Sequence, residues 1–254
     1  MDSFLHCNRP IITAMLKSRD TKSLIAEIER CLINGAEAFG LQIDMMEPQY
    51  RTRQDFTDII QAMDGRPAYI TDYSRGNVSP TPQSEEELAE ELLMAFECGA
   101  RLCDIRGDLF CPSAGEITED DTAVEKQKRL IRHIHEMGGE VLMSSHVLKY
   151  IPKEETLRIA LLHQERGADI AKIVTMAESE AELNENFETI LLLKRKLKIP
   201  SLFLCNGSHC KKHRILGPLL GSCMFLTTEN SRKPENQPRI EEARRILADA
   251  GYMN

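Results

Sequence analysis

Gly-Ala pairs at 35–36, 99–100 and 167–168 each close a helical pattern and open a β-rich run. Their spacings of 64 and 68 residues are each about twice 32, and about 32 residues is the length of one strand, one helix and their loops. The 254 residues divide into eight such units. Strand-like runs recur at Pro10 to Met15, Ala38 to Asp44, Pro67 to Thr71, Leu102 to Ile105, Glu140 to Ser145, Asp169 to Val174, Ser201 to Cys205 and Cys223 to Thr227. Helical patterns fill the gaps. Strict alternation of strand and helix demands a parallel sheet covered by helices, and eight units of this size predict a (β/α)8 TIM barrel occupying residues 1–254 as one domain. The alternative, an open doubly wound sheet, would place a Gly-rich phosphate loop after the first strand, where this chain reads Leu16-Lys-Ser-Arg-Asp20.

Start and stop signals support the helices. Asp20 caps a stripe of Leu24, Ile28, Cys31 and Leu32 that stops at Gly35. Ser84 with Glu87 forms a capping box ahead of Leu88, Leu92 and Phe96, with Gly99 as the stop. Pro152 suits a first helical turn, Gly167 ends that helix, and a last helix runs from about Pro238 to Ala250. The longest loops, Asp72 to Gln83, Arg106 to Asp121 and Thr228 to Gln237, all follow strands. In a barrel that puts them on the C-terminal face, where active sites are built.

The formal net charge is -8 and the pI about 5.5, which argues against nucleic-acid binding and against attraction to an anionic membrane. The N-terminus has no cationic start followed by an apolar stretch, and no apolar run approaches a membrane span. Eight cysteines without short spacings fit reduced thiols in a cytoplasm. The cluster Cys205-Asn-Gly-Ser-His209-Cys210-Lys-Lys-His213 departs from zinc spacing and reads as a strand end, a polar loop and a short helix, so no metal is expected.

One amine stands in the middle of an apolar strand, Gly167-Ala-Asp-Ile-Ala-Lys172-Ile-Val-Thr-Met176. Alternation sends Ile170, Lys172 and Val174 to one side and Ala171, Ile173 and Thr175 to the other. Desolvating an ammonium costs several kcal/mol, so a lysine placed there points to chemistry: a dry amine loses its proton readily and becomes a Schiff-base nucleophile. A lysine snorkelling to solvent or paired with Asp169 is the structural alternative. The neighbouring fifth strand, Glu140-Val-Leu-Met-Ser-Ser-His146, ends in an imidazole that can move the protons an imine mechanism requires.

Val-Leu-Met-Ser-Ser-His146 followed by Asp-Ile-Ala-Lys172-Ile-Val-Thr-Met resembles the Ser-x-His and Lys-Ile motifs of the type I 3-dehydroquinate dehydratase family. Ala38-Phe-Gly-Leu-Gln-Ile-Asp44 looks like that family's second strand, and Leu216-Gly-Pro-Leu-Leu-Gly-Ser222 like its approach to the eighth. The resemblance implies a lyase of the shikimate pathway, cytoplasmic and homodimeric, that needs neither cofactor nor metal and takes a carboxylated keto-polyol. It implies Lys172 as nucleophile, His146 as general acid and base, Arg214 as the grip on the substrate carboxylate and Asp44 as a second-strand contact.

Departures concentrate in substrate binding. Gly40 and Gln42 stand where the family has Glu and Arg. Tyr73 replaces an arginine, with Arg75 close by, Glu235 and Arg239 replace a Ser and a Gln, and Val147 follows the histidine where an acid is common. The pattern implies preserved chemistry on 3-dehydroquinate or a changed relative. The rival readings are a class I aldolase or other imine-forming lyase acting on a sugar acid, and a non-catalytic ligand-binding barrel that keeps Lys172 by descent.

Overall fold

The structure, a computed structural model, describes residues 3–5, 8–73, 83–229 and 236–253. Eight strands, β1 (Ile11–Leu16), β2 (Ala38–Gln42), β3 (Ala68–Thr71), β4 (Leu102–Arg106), β5 (Glu140–His146), β6 (Ile170–Met176), β7 (Ser201–Asn206) and β8 (Met224–Thr227), pair in parallel in chain order, with β8 against β1. The Cys223 amide donates to the Ser201 carbonyl at 2.9 Å between the two ends of this order, so the sheet is nearly closed. Helices α1 (Thr21–Ile33), α2 (Arg53–Ala62), α3 (Glu85–Glu97), α4 (Asp121–Glu136), α5 (Lys153–Arg166), α6 (Glu180–Lys196), α7 (Cys210–Leu220) and α8 (Ile240–Asp249) follow the strands one for one. The eightfold alternation read from the sequence is therefore the (β/α)8 barrel itself.

Side-chain alternation sorts two apolar regions. Ile11, Met15, Tyr69, Leu102, Leu142, Ile170, Leu202 and Met224 fill the lumen. Phe39, Leu41, Ile70, Cys103, Ile105, Val141 and Met143 pack outward on the helices, as do Ala171, Ile173 and Phe203 farther round the sheet. Phe4 sits in the lumen cluster with its ring edge-on to Tyr69, and its backbone amide donates to Glu140 at 3.0 Å, so the N-terminal end of the barrel is plugged.

The caps are those the residues specify. Asp20 accepts from the Ser23 amide, and Ser84 with Glu87 forms a complete capping box. Gly167 closes α5 at φ 103°, a conformation that costs a β-carbon-bearing residue about 1 kcal/mol. Three boundaries differ from expectation. Pro152 is the residue before α5 rather than in its first turn, and α8 begins at Ile240. β2 ends at Gln42, because burial of Ile43 and a bond from the Met46 amide to its carbonyl wind Ile43–Met45 into a 3-10 turn that carries Asp44 away from the strand. Arg75 and Glu235 lie outside the described residues. Among the described residues no helix is long and apolar enough to cross a membrane.

Candidate active site

Lys172 lies on the inner wall of β6, level with Ser144 of β5, and is 5% exposed. Its outward neighbours Ala171 and Ile173 pack under the helices, as alternation requires. The amine is not alone in the lumen. Nζ lies 3.1 Å from Asp104 Oδ2, 3.0 Å from the Tyr69 hydroxyl and 2.5 Å from the Tyr73 hydroxyl. Both tyrosines also donate to Asp104 Oδ2, each at 2.6 Å. The three ammonium protons thus have three acceptors, and the counter-ion is Asp104 on β4. The pairing weighed from the sequence, with Asp169, does not form: Asp169 accepts from His135 and from the Val141 amide.

Asp104 is fully buried. Burial alone would raise its pKa, but the Lys172 charge and the tyrosine hydroxyls outweigh burial and hold the carboxyl below the ordinary range. Burial first, and then the same carboxylate, raises both phenols well above theirs, so both stay protonated.

His146 ends β5 two residues beyond the level of Lys172, opposite Val174. Its Nδ1 is 2.7 Å from Glu116 Oε2, and the same oxygen accepts from its backbone amide at 3.1 Å. Burial pushes Glu116 up, but the contacts to His146 and the charge of Arg106 more than reverse this and keep it a carboxylate. Nδ1 therefore donates, and Nε2 is left as the basic atom of the ring. The Tyr73 ring meets the imidazole edge-on at 4.8 Å between centroids. Tyr73 touches both the amine and the imidazole.

Glu116 belongs to the loop after β4 and holds a left-handed backbone, φ 52°. A clamp keeps it there. Ser145 Oγ donates to the Glu116 carbonyl at 2.7 Å and lies 2.9 Å from His163 Nε2. Burial, then the Arg166 charge, pushes His163 down to about 3. Neutral His163 serves as donor to Ser145. Arg166 of α5 donates to the carbonyls of Gly107 and Thr118 at the two ends of the loop. A cavity of about 950 Å³ opens beside the dyad, with Ser113, Glu116, His146, Tyr150 and Arg158 among its walls.

Arg214, in the second turn of α7, is buried, and its guanidinium donates to the Cys205 carbonyl at 3.2 Å and to Asn206 Oδ1 at 3.0 Å. Both acceptors are neutral, and burial lowers its pKa. It is a desolvated cation without a carboxylate counter-ion among the described residues. The other expected contacts are less direct. Gln42 ends β2 on the inward-facing register of Ala38 and Gly40. A β-carbon at Gly40 would sit 2.3 Å from Met15 Sδ, so Met15 occupies the space where the family has an acid. Asp44 interacts with Asp72, the Tyr73 amide and Arg51, not with Lys172, because the turn after β2 redirects it. Arg239 is exposed and precedes α8. The cysteine and histidine cluster does not converge. His213 is buried between the rings of Phe187 and Phe203, and no group of three or more potential metal ligands occurs among the described residues.

Sequence reasoning missed Asp104, Tyr69 and Glu116. Asp104 did carry a signal: it is an acid on the inward register of an apolar strand, the same pattern that singled out Lys172. Glu116 carried none, since a loop residue has no periodicity to read.

A family model described as type I 3-dehydroquinase matches residues 12–252. The 3-dehydroquinate dehydratase of Aromatoleum aromaticum is 23% identical over 244 residues, covering 94% of this chain and 89% of the relative. Among solved structures, 3-dehydroquinate dehydratase from Geobacillus kaustophilus superposes with a TM-score of 0.83 at 20% identity, covering 97% of this chain and 93% of that one. The type I enzyme from Clostridium difficile superposes at 0.82 and 17% identity, covering 97% and 94%. At these identities the structural likenesses speak for the barrel.

Proposed function

Since this chain belongs to the type I 3-dehydroquinase family, we propose that it is a Schiff-base hydro-lyase eliminating water from 3-dehydroquinate or a close carboxylated β-hydroxy ketone. The observation that carries the reading is the amine of Lys172 inside the barrel lumen, 5% exposed. An amine there attacks the substrate ketone and becomes a protonated imine, an electron sink that acidifies the adjacent C–H. His146, held through Nδ1 by Glu116, takes that proton at Nε2 and returns it to the β-hydroxyl, which leaves as water. Hydrolysis of the imine frees the product and restores the lysine.

Arg214 supports an anionic substrate, because a buried guanidinium whose acceptors among the described residues are neutral gains a charge-assisted pair when a carboxylate arrives. Gln42, Arg239 and Arg75 remain the further proposed substrate contacts, whereas the turn after β2 takes Asp44 out of that set. Met15 in place of a second-strand acid makes that side of the lumen less polar, which favours a substrate carrying fewer hydroxyls there. The reading includes a cytoplasmic homodimer built from residues 1–254 as one domain. Exposed Leu161, Leu191 and Leu216 on α5, α6 and α7 supply apolar surface for association.

Borohydride reduction in the presence of 3-dehydroquinate tests the proposal. The expected result is one reduced adduct on Lys172, located by peptide mass spectrometry, together with loss of water in the unreduced reaction. An unmodified Lys172 at saturating ketone would overturn it, and carbon-carbon cleavage products would transfer the same amine to an aldolase.

A further inference from the structure

Resting on that imine reading, we infer that Tyr73, backed by Asp104, is the proton shuttle of imine formation and hydrolysis, and that His146 with Glu116 serves the elimination alone.

The proton balance of the first step requires such a device. Lys172 in its ion pair carries three N–H protons. The overall conversion is Lys172–NH3⁺ plus a ketone giving Lys172–NH⁺= carbon plus water, so one proton stays on nitrogen and two leave in the water. No external acid or base is consumed, but two protons must travel from nitrogen to the departing oxygen. One group must accept a proton from the amine so that its lone pair can form the N–C bond, and it must then deliver that proton to the carbinolamine hydroxyl as the C–O bond breaks.

Tyr73 has the geometry for both. Its hydroxyl is 2.5 Å from Nζ and 2.6 Å from Asp104 Oδ2. With the phenol donating to the carboxylate, its oxygen is left to accept from the ammonium, so the hydrogen bonds already run from amine to phenol to carboxylate. A proton moved along that line puts the phenol proton on Asp104 and a lysine proton on Tyr73. The carbinolamine oxygen is two bonds from the nitrogen, so a hydroxyl that touches the nitrogen reaches that oxygen too. The reverse transfer gives that proton to the alkoxide formed by the attack, and a second pass of the same relay carries a second proton from nitrogen to the resulting hydroxyl as it leaves as water, returning Asp104 to its carboxylate. Because burial and the adjacent carboxylate keep the phenol protonated, it stays a donor throughout. Tyr69 touches the same two atoms, but it is fully buried and packed against Phe4 toward the plugged end of the lumen. Tyr73 lies four residues farther along, two beyond the end of β3, toward the C-terminal mouth.

His146 is placed for other atoms. It stands opposite Val174, two residues past the level of Lys172, and no bond joins it to Nζ. On this assignment the imidazole serves the carbons of a bound ketone rather than its imine nitrogen.

Exchange of the ketone oxygen of 3-dehydroquinate with oxygen-18 water reports imine formation and reversal without elimination. Measured above the enzyme-free rate, exchange should fall on the order of 10²-fold in Tyr73→Phe. In His146→Ala it should persist within a few-fold of wild type while water loss stops. Overturning results are wild-type exchange in Tyr73→Phe, or loss of exchange together with elimination in His146→Ala. The histidine variant keeps the test decisive even if the tyrosine variant folds poorly. A wild-type protein giving neither exchange nor a borohydride adduct would instead remove the imine reading, and this assignment with it.

Discussion

Glu116 spends backbone strain on orienting an imidazole. A left-handed conformation costs a residue with a β-carbon about 1 kcal/mol, and Glu116 adopts it at φ 52°. In return one carboxylate oxygen meets both the ring Nδ1 and the amide of His146. The resemblance leads one to look for an acid directly after the histidine, where Val147 stands. The carboxylate arrives instead from the β4–α4 loop. Replacing it with an amide of equal shape removes the charge that fixes the tautomer, so Glu116→Gln should lower kcat on the order of 10²-fold or more with little change in KM. Steady-state kinetics check this, and an unchanged kcat would dismiss the dyad. The sign of the acid dependence follows from the same pair. The folded pKa of Glu116 lies below its ordinary 4.5, so its contribution to stability is present above about pH 4.5 and is lost as pH falls through the folded value. Glu116→Gln should therefore lose less stability on acidification than wild type.

At the scale of the elements, the ends of β3 and β4 are held by buried polar groups rather than by apolar packing. After β4, Arg166 ties Gly107 to Thr118, and the loop between them cannot open without leaving a buried guanidinium unsatisfied. After β3, Asp72 lies against Glu91 of α3, with Arg51 and Gln83 on the same Glu91 oxygen. Burial first, and then the neighbouring Asp72, pushes Glu91 up to about 8. At neutral pH Glu91 therefore keeps its proton beside Asp72. A raised folded pKa means that the folded state holds this proton while the unfolded chain releases it, so stability declines as pH rises from about 4.5 to about 8. Glu91→Gln should flatten that decline. Urea unfolding at pH 5 and pH 9 measures the effect, and an equal loss in both proteins would contradict the proton held on Glu91. Because Asp72 directly precedes Tyr73, the same titration bears on the mouth of the barrel.

Across the whole molecule, chemistry and stability occupy opposite ends of one lumen. Phe4 seals the N-terminal end under Tyr69, while Lys172, Tyr73 and His146 look toward the C-terminal mouth. Phe4→Ala removes a buried ring and should cost about 3 kcal/mol of stability through the cavity it leaves. The rate of borohydride trapping at 25 °C should barely change, because among the described residues that touch the amine the Phe4 ring stands edge-on to Tyr69 alone. Denaturant midpoints and trapping kinetics on the same preparation separate the two. A large fall in trapping by a variant that is still folded would show that the two ends are coupled.

Periodicity alone determined the barrel, since the alternation of period-2 and period-3.6 apolar patterns over eight units leaves a parallel sheet covered by helices as the way to bury every apolar face. It also determined that Lys172 points inward, because side-chain direction along a strand is a parity and Ile170 and Val174 share it. Adjacent strands then brought His146 to the same end of the lumen as Lys172. What parity cannot specify is which residue meets which across the lumen or from a loop. The counter-ion Asp104, the tyrosine pair on the amine and the loop carboxylate Glu116 were decided only when the sheet closed. The departure of Asp44 from the site was decided by a 3-10 turn that burying Ile43 imposed. These are contacts between segments separated by up to about a hundred residues in sequence, and their distances depend on sheet curvature and loop clamping, neither of which leaves a local pattern in the chain.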